Sequence, residues 1–283
     1  MARILSLCLG LILMNSMVMA QVLEPEMNQQ KVFPFGVVEE VYSELLVETR
    51  VLNIYLPDGY SPDSLQTYPV IYVLDGSYNE DFPHIAGLCQ FLNMYQLLPK
   101  SIVVGIANVD RYRDFTYPSS VKRDRKDIPT SGGSAAFIAF LEKELQPFIN
   151  QKFKTNGYNT IIGQSLGGLV ATEILMTKPQ LFDDYIIVSP SLWWDNEKLV
   201  NKASAYFKEH QDLGKKVFVS LGKEHPLMHK VADELVKSMR ESGNKKLIVY
   251  YEPILDEDHA TILHLAVYKA FRLLYQKEEK QVK

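Results

Sequence analysis

Thr160-Ile161-Ile162-Gly163-Gln164-Ser165-Leu166-Gly167-Gly168 decides how this chain is read. Three β-branched residues run into a glycine, a serine stands two positions on, and an apolar stretch with helical spacing, 166–176, follows. That order predicts a strand, a sharp turn and a helix. Such a turn strains the backbone of its central residue and leaves that side chain exposed, while glycines at 163 and 167 remove side chains that would collide with it. The helix that starts there directs its first N–H groups and the positive end of its dipole at any negative charge forming beside Ser165. Ser165 is therefore the candidate nucleophile, and the plainer alternative is an ordinary serine N-cap. With 15 glycines in 283 residues the G-x-S-x-G spacing alone is weak, so the strand before it and the helix after it carry the reading.

Working outward, the runs 70–74, 102–106, 185–188, 217–219 and 247–250 are short, apolar and rich in β-branched residues, as strands covered on both faces require. Helical periods occupy 135–148, 166–176, 227–239 and 260–274. The alternation predicts an α/β fold: a mostly parallel, twisted sheet with helices on both faces, preceded by an antiparallel strand pair at 37–47 and 49–56. We read residues 37–283 as one catalytic domain behind a polar leader at 21–36. Residues 108–133 are charged and aperiodic and are expected at the mouth of the site.

Arg3, the apolar run 4–12 and Val18-Met19-Ala20 predict a signal peptide over residues 1–20, hence export to a periplasm or beyond the cell. Without that segment Cys89 is the single cysteine, so the core must provide stability without an internal disulfide. A formal net charge of −4 with both signs scattered argues against a nucleic-acid partner. No later apolar run is long enough for a membrane span, and neither a metal nor a cofactor is expected.

A serine hydroxyl needs a base, which belongs downstream in this strand order. Of the six histidines, His259 lies in Asp256-Glu257-Asp258-His259, between the last strand and the last helix, where strand ends assemble a site. A carboxylate should orient it. Glu224 follows the run 217–219 and completes the order Ser165, Glu224, His259, with Asp256 and Asp258 as alternatives. Two N–H donors for an oxyanion are expected at Leu166 and, in the loop Leu74-Asp75-Gly76-Ser77, at Ser77. Asp75, Arg111, Arg113, Trp193 and Trp194 are the candidate substrate contacts, the arginines by charge and the tryptophans by stacking. Ion pairs within the loop and a place in the core are the alternatives for these arginines and tryptophans. A metal site at Glu224, His225 and His229 fails on pattern, since Pro226 stands where a zinc protease needs glutamate.

Tyr72-Val73-Leu74-Asp75-Gly76, Val104-Gly105-Ile106, Arg111-Tyr112-Arg113-Asp114-Phe115, the 163–168 turn, Ser189-Pro190-Ser191-Leu192-Trp193-Trp194 and the histidine loop together resemble one family. It is the esterase family of α/β hydrolases that includes enterochelin and bacillibactin esterases, S-formylglutathione hydrolases and mycolyltransferases, and the likeness runs from about Leu52 onward. The resemblance implies an α/β-hydrolase fold and ester cleavage through an acyl-enzyme. It carries Ser165 and His259 over as catalytic residues and Ser77 and Leu166 as oxyanion donors. The run Ser-Pro-Ser-Leu-Trp-Trp is similar to the siderophore-esterase branch, which implies a small-molecule ester as partner. Relatives often read Gly-Glu-x-Glu where this chain has Gly222-Lys223-Glu224-His225, so the acid stays open between Glu224, Asp256 and Asp258. Carbohydrate or feruloyl ester hydrolysis, acyl transfer and a non-catalytic binding role on the same fold are the competing functions.

Overall fold

Eight strands give a sheet of order β1-β2-β4-β3-β5-β6-β7-β8 in the computed structural model, which describes residues 33–275. The expected signal peptide and most of the leader lie outside the described residues. From Phe35 to the last described residue the chain packs as one unit. Strands β1 (Val37–Ser43) and β2 (Glu48–Tyr55) form the antiparallel pair, and β2 also runs antiparallel to β4 (Ile102–Ile106). Strands β3 (Tyr68–Val73), β5 (Thr155–Gln164), β6 (Asp184–Val188), β7 (Lys216–Ser220) and β8 (Ile248–Tyr251) continue in parallel. Every residue of β4 and β6 is buried, as strands covered on both faces require, and the carboxylate among them, Asp184, accepts from the Tyr158 and Tyr275 hydroxyls.

The period of two divides the core cleanly. Val70, Tyr72, Ile161, Ile187, Val217 and Val219 face one apolar layer, whereas Ile71, Val73, Ile162, Ile186 and Phe218 face the other. The second layer is closed by α1 (Phe82–Met94) and by the last helix. The first lies under the remaining long helices.

Segment 108–133 is less irregular than its sequence suggests: it carries the short helices α2 (Arg111–Asp114) and α3 (Lys122–Asp127). The expected helix 135–148 is a continuous helical run in three parts. Its first part is α4 (Ser134–Phe140), followed by a π turn (Leu141–Leu145) and α5 (Gln146–Lys152). Pro147 has no N–H for the Lys143 carbonyl, which accounts for the loosened turn just before it. Helix α6 (Leu166–Thr177) leaves the nucleophile turn, and α7 (Trp194–Glu209), α8 (Pro226–Arg240) and α9 (Ile262–Leu274) follow β6, β7 and β8. The loops at the carboxyl ends of β3, β5, β7 and β8 therefore carry Ser77, Ser165, Glu224 and His259.

Candidate active site

Ser165 has φ 58°, a left-handed backbone held from both sides. Its N–H donates to the Val188 carbonyl at 3.0 Å, and its own carbonyl accepts from Ser191 N and Leu169 N at 3.0 Å each. Gly163 is what the turn cannot do without, because a Cβ there would run into the backbone carbonyl of Gly167. The expectation that both flanking glycines are needed for clearance is corrected for Gly167. A Cβ on Gly167 would meet Asp75 Oδ2 and Leu74 Cβ at 3.5 Å, ordinary contact.

His259 and Glu224 come together from separate loops: Nδ1 of the imidazole lies 3.1 Å from Glu224 Oε2. The Glu224 carboxylate is 4% exposed, whereas His259 keeps 47% of its side chain open to solvent. Burial pushes the Glu224 carboxyl up, but the donors around it outweigh that. Hydrogen bonds from His259 and the Ser189 hydroxyl, the charge of the imidazole and the Gly222 N–H hold it below its ordinary range. Gly222 lets the two loops close, since a Cβ there would lie 2.6 Å from the Glu257 carbonyl. Asp258 is turned to another task, accepting the Ala260 and Thr261 N–H groups at 2.8 and 3.1 Å. Asp256 is exposed. Of the three candidate acids, only Glu224 touches the imidazole.

Ser165 and His259 line one open cleft of about 380 Å³ together with Asp75, Glu80, Asp81 and Arg111. Ser165 Oγ is 3.3 Å from Ser191 Oγ, and no hydrogen bond joins it to His259 among the described residues. The Leu166 and Ser77 N–H groups have no acceptor among the described residues. Asn53 Nδ2 donates to the Gly76 carbonyl at 2.8 Å. Because the peptide is planar and trans, pinning that carbonyl also fixes the direction of the Ser77 N–H.

Residues 43–251 match the family model described as "Putative esterase". The chain belongs to this esterase family. The esterase is 27% identical over 248 residues to the ferri-bacillibactin esterase BesA of Bacillus subtilis (strain 168), covering 80% of this chain and 85% of that protein. An IroE-like serine hydrolase from Shewanella oneidensis superposes with a TM-score of 0.76 at 31% identity, over 85% of this chain and 80% of the other. The BES protein from Bacillus cereus gives 0.77 at 29% identity, over 89% and 98%. The fold is that of the α/β hydrolases.

In the esterase the five expected substrate contacts separate. Arg111 lines the cleft, but Nε and Nη2 grip Asp75 at 2.7 and 3.0 Å, and Nη2 also reaches the Gln164 carbonyl at 3.3 Å. Nη1 has no partner among the described residues. Asp75 also accepts from Asn108 Nδ2 at 2.7 Å, so its carboxylate orients Arg111 and leaves little for a ligand. The expectation for Arg113 is corrected: both terminal nitrogens bind Glu48 at 3.0 and 2.6 Å and Nε binds Asp114 at 2.7 Å, tying α2 to β2. Arg50, buried and unforeseen, joins the same cluster through Glu48 and Asp114. Trp194 is corrected too, being fully buried with Nε1 donating to the Tyr117 carbonyl at 2.8 Å. Trp193 is half-buried and lines a second cleft of about 480 Å³ with Val121, Ile128, His225, Leu227 and Met228. Sequence reasoning also missed Asn53, Ser189 and Ser191, whose signal is a small polar residue inside or just after a strand. Nothing in such a residue's periodicity separates it from a turn.

Proposed function

We propose that the esterase is an exported serine hydrolase that opens carboxylic esters through an acyl-enzyme, with catecholate siderophore lactones as the substrate class. The observation that carries this reading is His259, paired behind the cleft with buried Glu224, lining the same cleft as Ser165 on its strained turn. In the proposed sequence Ser165 Oγ attacks the ester carbonyl while His259 takes its proton, and the imidazolium is steadied by the buried Glu224 carboxylate. The tetrahedral oxyanion is held by the Ser77 and Leu166 N–H groups, and the dipole of α6 adds to them. His259 then gives the proton to the leaving alkoxide, and water repeats the steps to release the acid.

The substrate class is supported by the relative named a ferri-bacillibactin esterase, by Arg111 at the cleft and by Trp193 in the second one. Export rests on the apolar run 4–12 and the small residues before Gln21. The test compares wild type with Ser165→Ala on an aryl butyrate and on a ferric tri-catechol lactone, alongside labelling by a fluorophosphonate. The variant should stay folded, lose the label and lose nearly all turnover, keeping only the residual catalysis of binding and the oxyanion donors, about 10³- to 10⁴-fold over water. Full activity in folded Ser165→Ala would overturn the serine mechanism. Turnover of feruloylated sugars without turnover of the lactone would overturn the substrate class.

A further inference from the structure

Between β6 and α7 the chain turns through Ser189-Pro190-Ser191, and its two hydroxyls reach different members of the site. Ser189 Oγ donates to Glu224 Oε1, on the oxygen that does not face His259. Ser191 Oγ sits 3.3 Å from Ser165 Oγ, and its N–H holds the Ser165 carbonyl. Both serines are buried, at 0% and 3% exposed. Ser189 has φ 45°, a left-handed backbone that a non-glycine residue adopts at a cost. Glycine would sit there without strain, yet it would supply no hydroxyl. Retained strain of this kind points to a side chain that the site needs.

The N–H of Ser189 donates to the Ser220 carbonyl at 2.8 Å, so β7 anchors the corner on the side from which Glu224 arrives. Pro190 removes a backbone donor and fixes one dihedral, and the corner packs so closely on α6 that a Cβ on Gly168 would lie 3.0 Å from Pro190 Cα. The corner is therefore rigid at both ends.

We infer that Ser189 is a positioning residue: its hydroxyl holds the Glu224 carboxylate in the plane that receives His259 Nδ1–H. This rests on the serine-hydrolase reading above. A buried carboxylate with His259 as its one side-chain partner would be free to rotate about its last bond. A second donor on the far oxygen, together with the Gly222 N–H at 3.3 Å, leaves one orientation.

Ser189→Gly is the informative variant, because it removes the hydroxyl while keeping, and relaxing, the left-handed backbone. The variant should fold, the strain that glycine releases offsetting much of the stability lost with the hydrogen bond. Its kcat on an aryl butyrate should fall about ten- to a hundredfold with KM little changed, the loss expected when a hydrogen bond to a charged group is removed. The acidic limb of the kcat profile should move to higher pH, since Glu224 loses a donor that favours its ionised form. Wild-type kcat and an unmoved acidic limb in the folded variant would overturn the inference. So would a rise in KM with kcat intact, or a variant that does not fold, which would assign the hydroxyl to stability. Fluorophosphonate labelling separates the two levels. If wild type is not labelled at Ser165, the serine mechanism itself fails; if it is labelled and Ser189→Gly turns over like wild type, only the role of Ser189 fails.

Discussion

At the scale of single residues the question is which carboxylate serves the imidazole. Glu224 is buried, touches Nδ1 and is held ionised by its donors, whereas Asp258 spends its oxygens on the turn at Ala260 and Thr261. Glu224→Gln should therefore lower kcat by about a hundredfold or more with KM little changed, because the lost charge acts on the transition state. Asp258→Asn should stay within about threefold, since an amide oxygen can still accept those N–H groups. Steady-state kinetics on an aryl ester decides the ranking, and the reverse order would move the acid into the histidine loop. The places of Ser165, Glu224 and His259 at strand ends were legible in the sequence because each follows a strand of unmistakable composition, and strand ends converge in this class of sheet, whereas the choice among the three carboxylates was not. Arg113 and Trp194 stayed open between a ligand and a structural partner for a physical reason: a cation or an indole near a site looks alike in sequence in either role. Glu48 claims Arg113 from 65 positions away, and the Tyr117 carbonyl claims Trp194 from 77 positions away. The pairing of Arg113 with the adjacent Asp114 is local, whereas nothing local announces these distant ones.

At the scale of elements, the nucleophile turn is a packing problem between a strand and the helix that leaves it. Gly163 faces the backbone of Gly167, which cannot move without unwinding the first turn of α6, whereas a methyl on Gly167 meets only ordinary contacts. Gly163→Ala should then destabilise the fold by roughly 3 kcal/mol or more, in the range of backbone strain and overpacking. Gly167→Ala should change stability by about 1 kcal/mol or less, because better helix propensity offsets the added contact. Urea unfolding of the two variants separates them, and equal losses would mean that the turn needs both glycines. The central strands were readable from composition, but α1 was not assigned. Its buried residues Ile85, Leu88, Cys89 and Leu92 do keep the spacing i, i+3, i+4, i+7, but Pro83 and Gly87 are residues that ordinarily interrupt a helix, and here Pro83 sits harmlessly in the first turn. The first strand stops at Ser43 and not at 47, since Val47 takes φ 55° in the turn to β2, and alternation of apolar residues does not report a backbone angle.

At the scale of the whole molecule, stability should carry a signature of the helix behind the nucleophile. Glu173, on α6, has a buried oxygen, Oε2, with no hydrogen-bond partner among the described residues, and burial pushes its carboxyl up to about 7, against the weaker pulls of the nearby Ser134 hydroxyl and of Lys198. The folded protein thus binds a proton that the unfolded chain releases near pH 4.3. Stability from this group is fully present below the unfolded value and is lost as pH rises through 7, the opposite of the usual carboxylate. Asp195 works the other way, held down at about 2 by the Ser120 and Lys198 donors despite its burial, so its contribution is present above the unfolded value and disappears only in strong acid. Between pH 5 and 9 the two do not interfere, because Asp195 stays ionised throughout. Glu173→Gln should accordingly raise the thermal midpoint at pH 8 to 9, where wild type must keep a charge in a poorly solvated place. At pH 5 the gap should be much smaller, since both folded proteins then bury a neutral group of the same shape and only ionisation of the unfolded chain separates them. The gain at high pH should be about 2 kcal/mol, somewhat less than the full proton linkage because the side chain is not wholly shut off from water. Thermal melts of wild type and Glu173→Gln across that range read the difference directly. A variant that is equally stabilised at both pH values would trace the effect to packing, and one that loses stability at pH 8 would show that the charged carboxylate has a partner in α6 or α7 that compensates its burial.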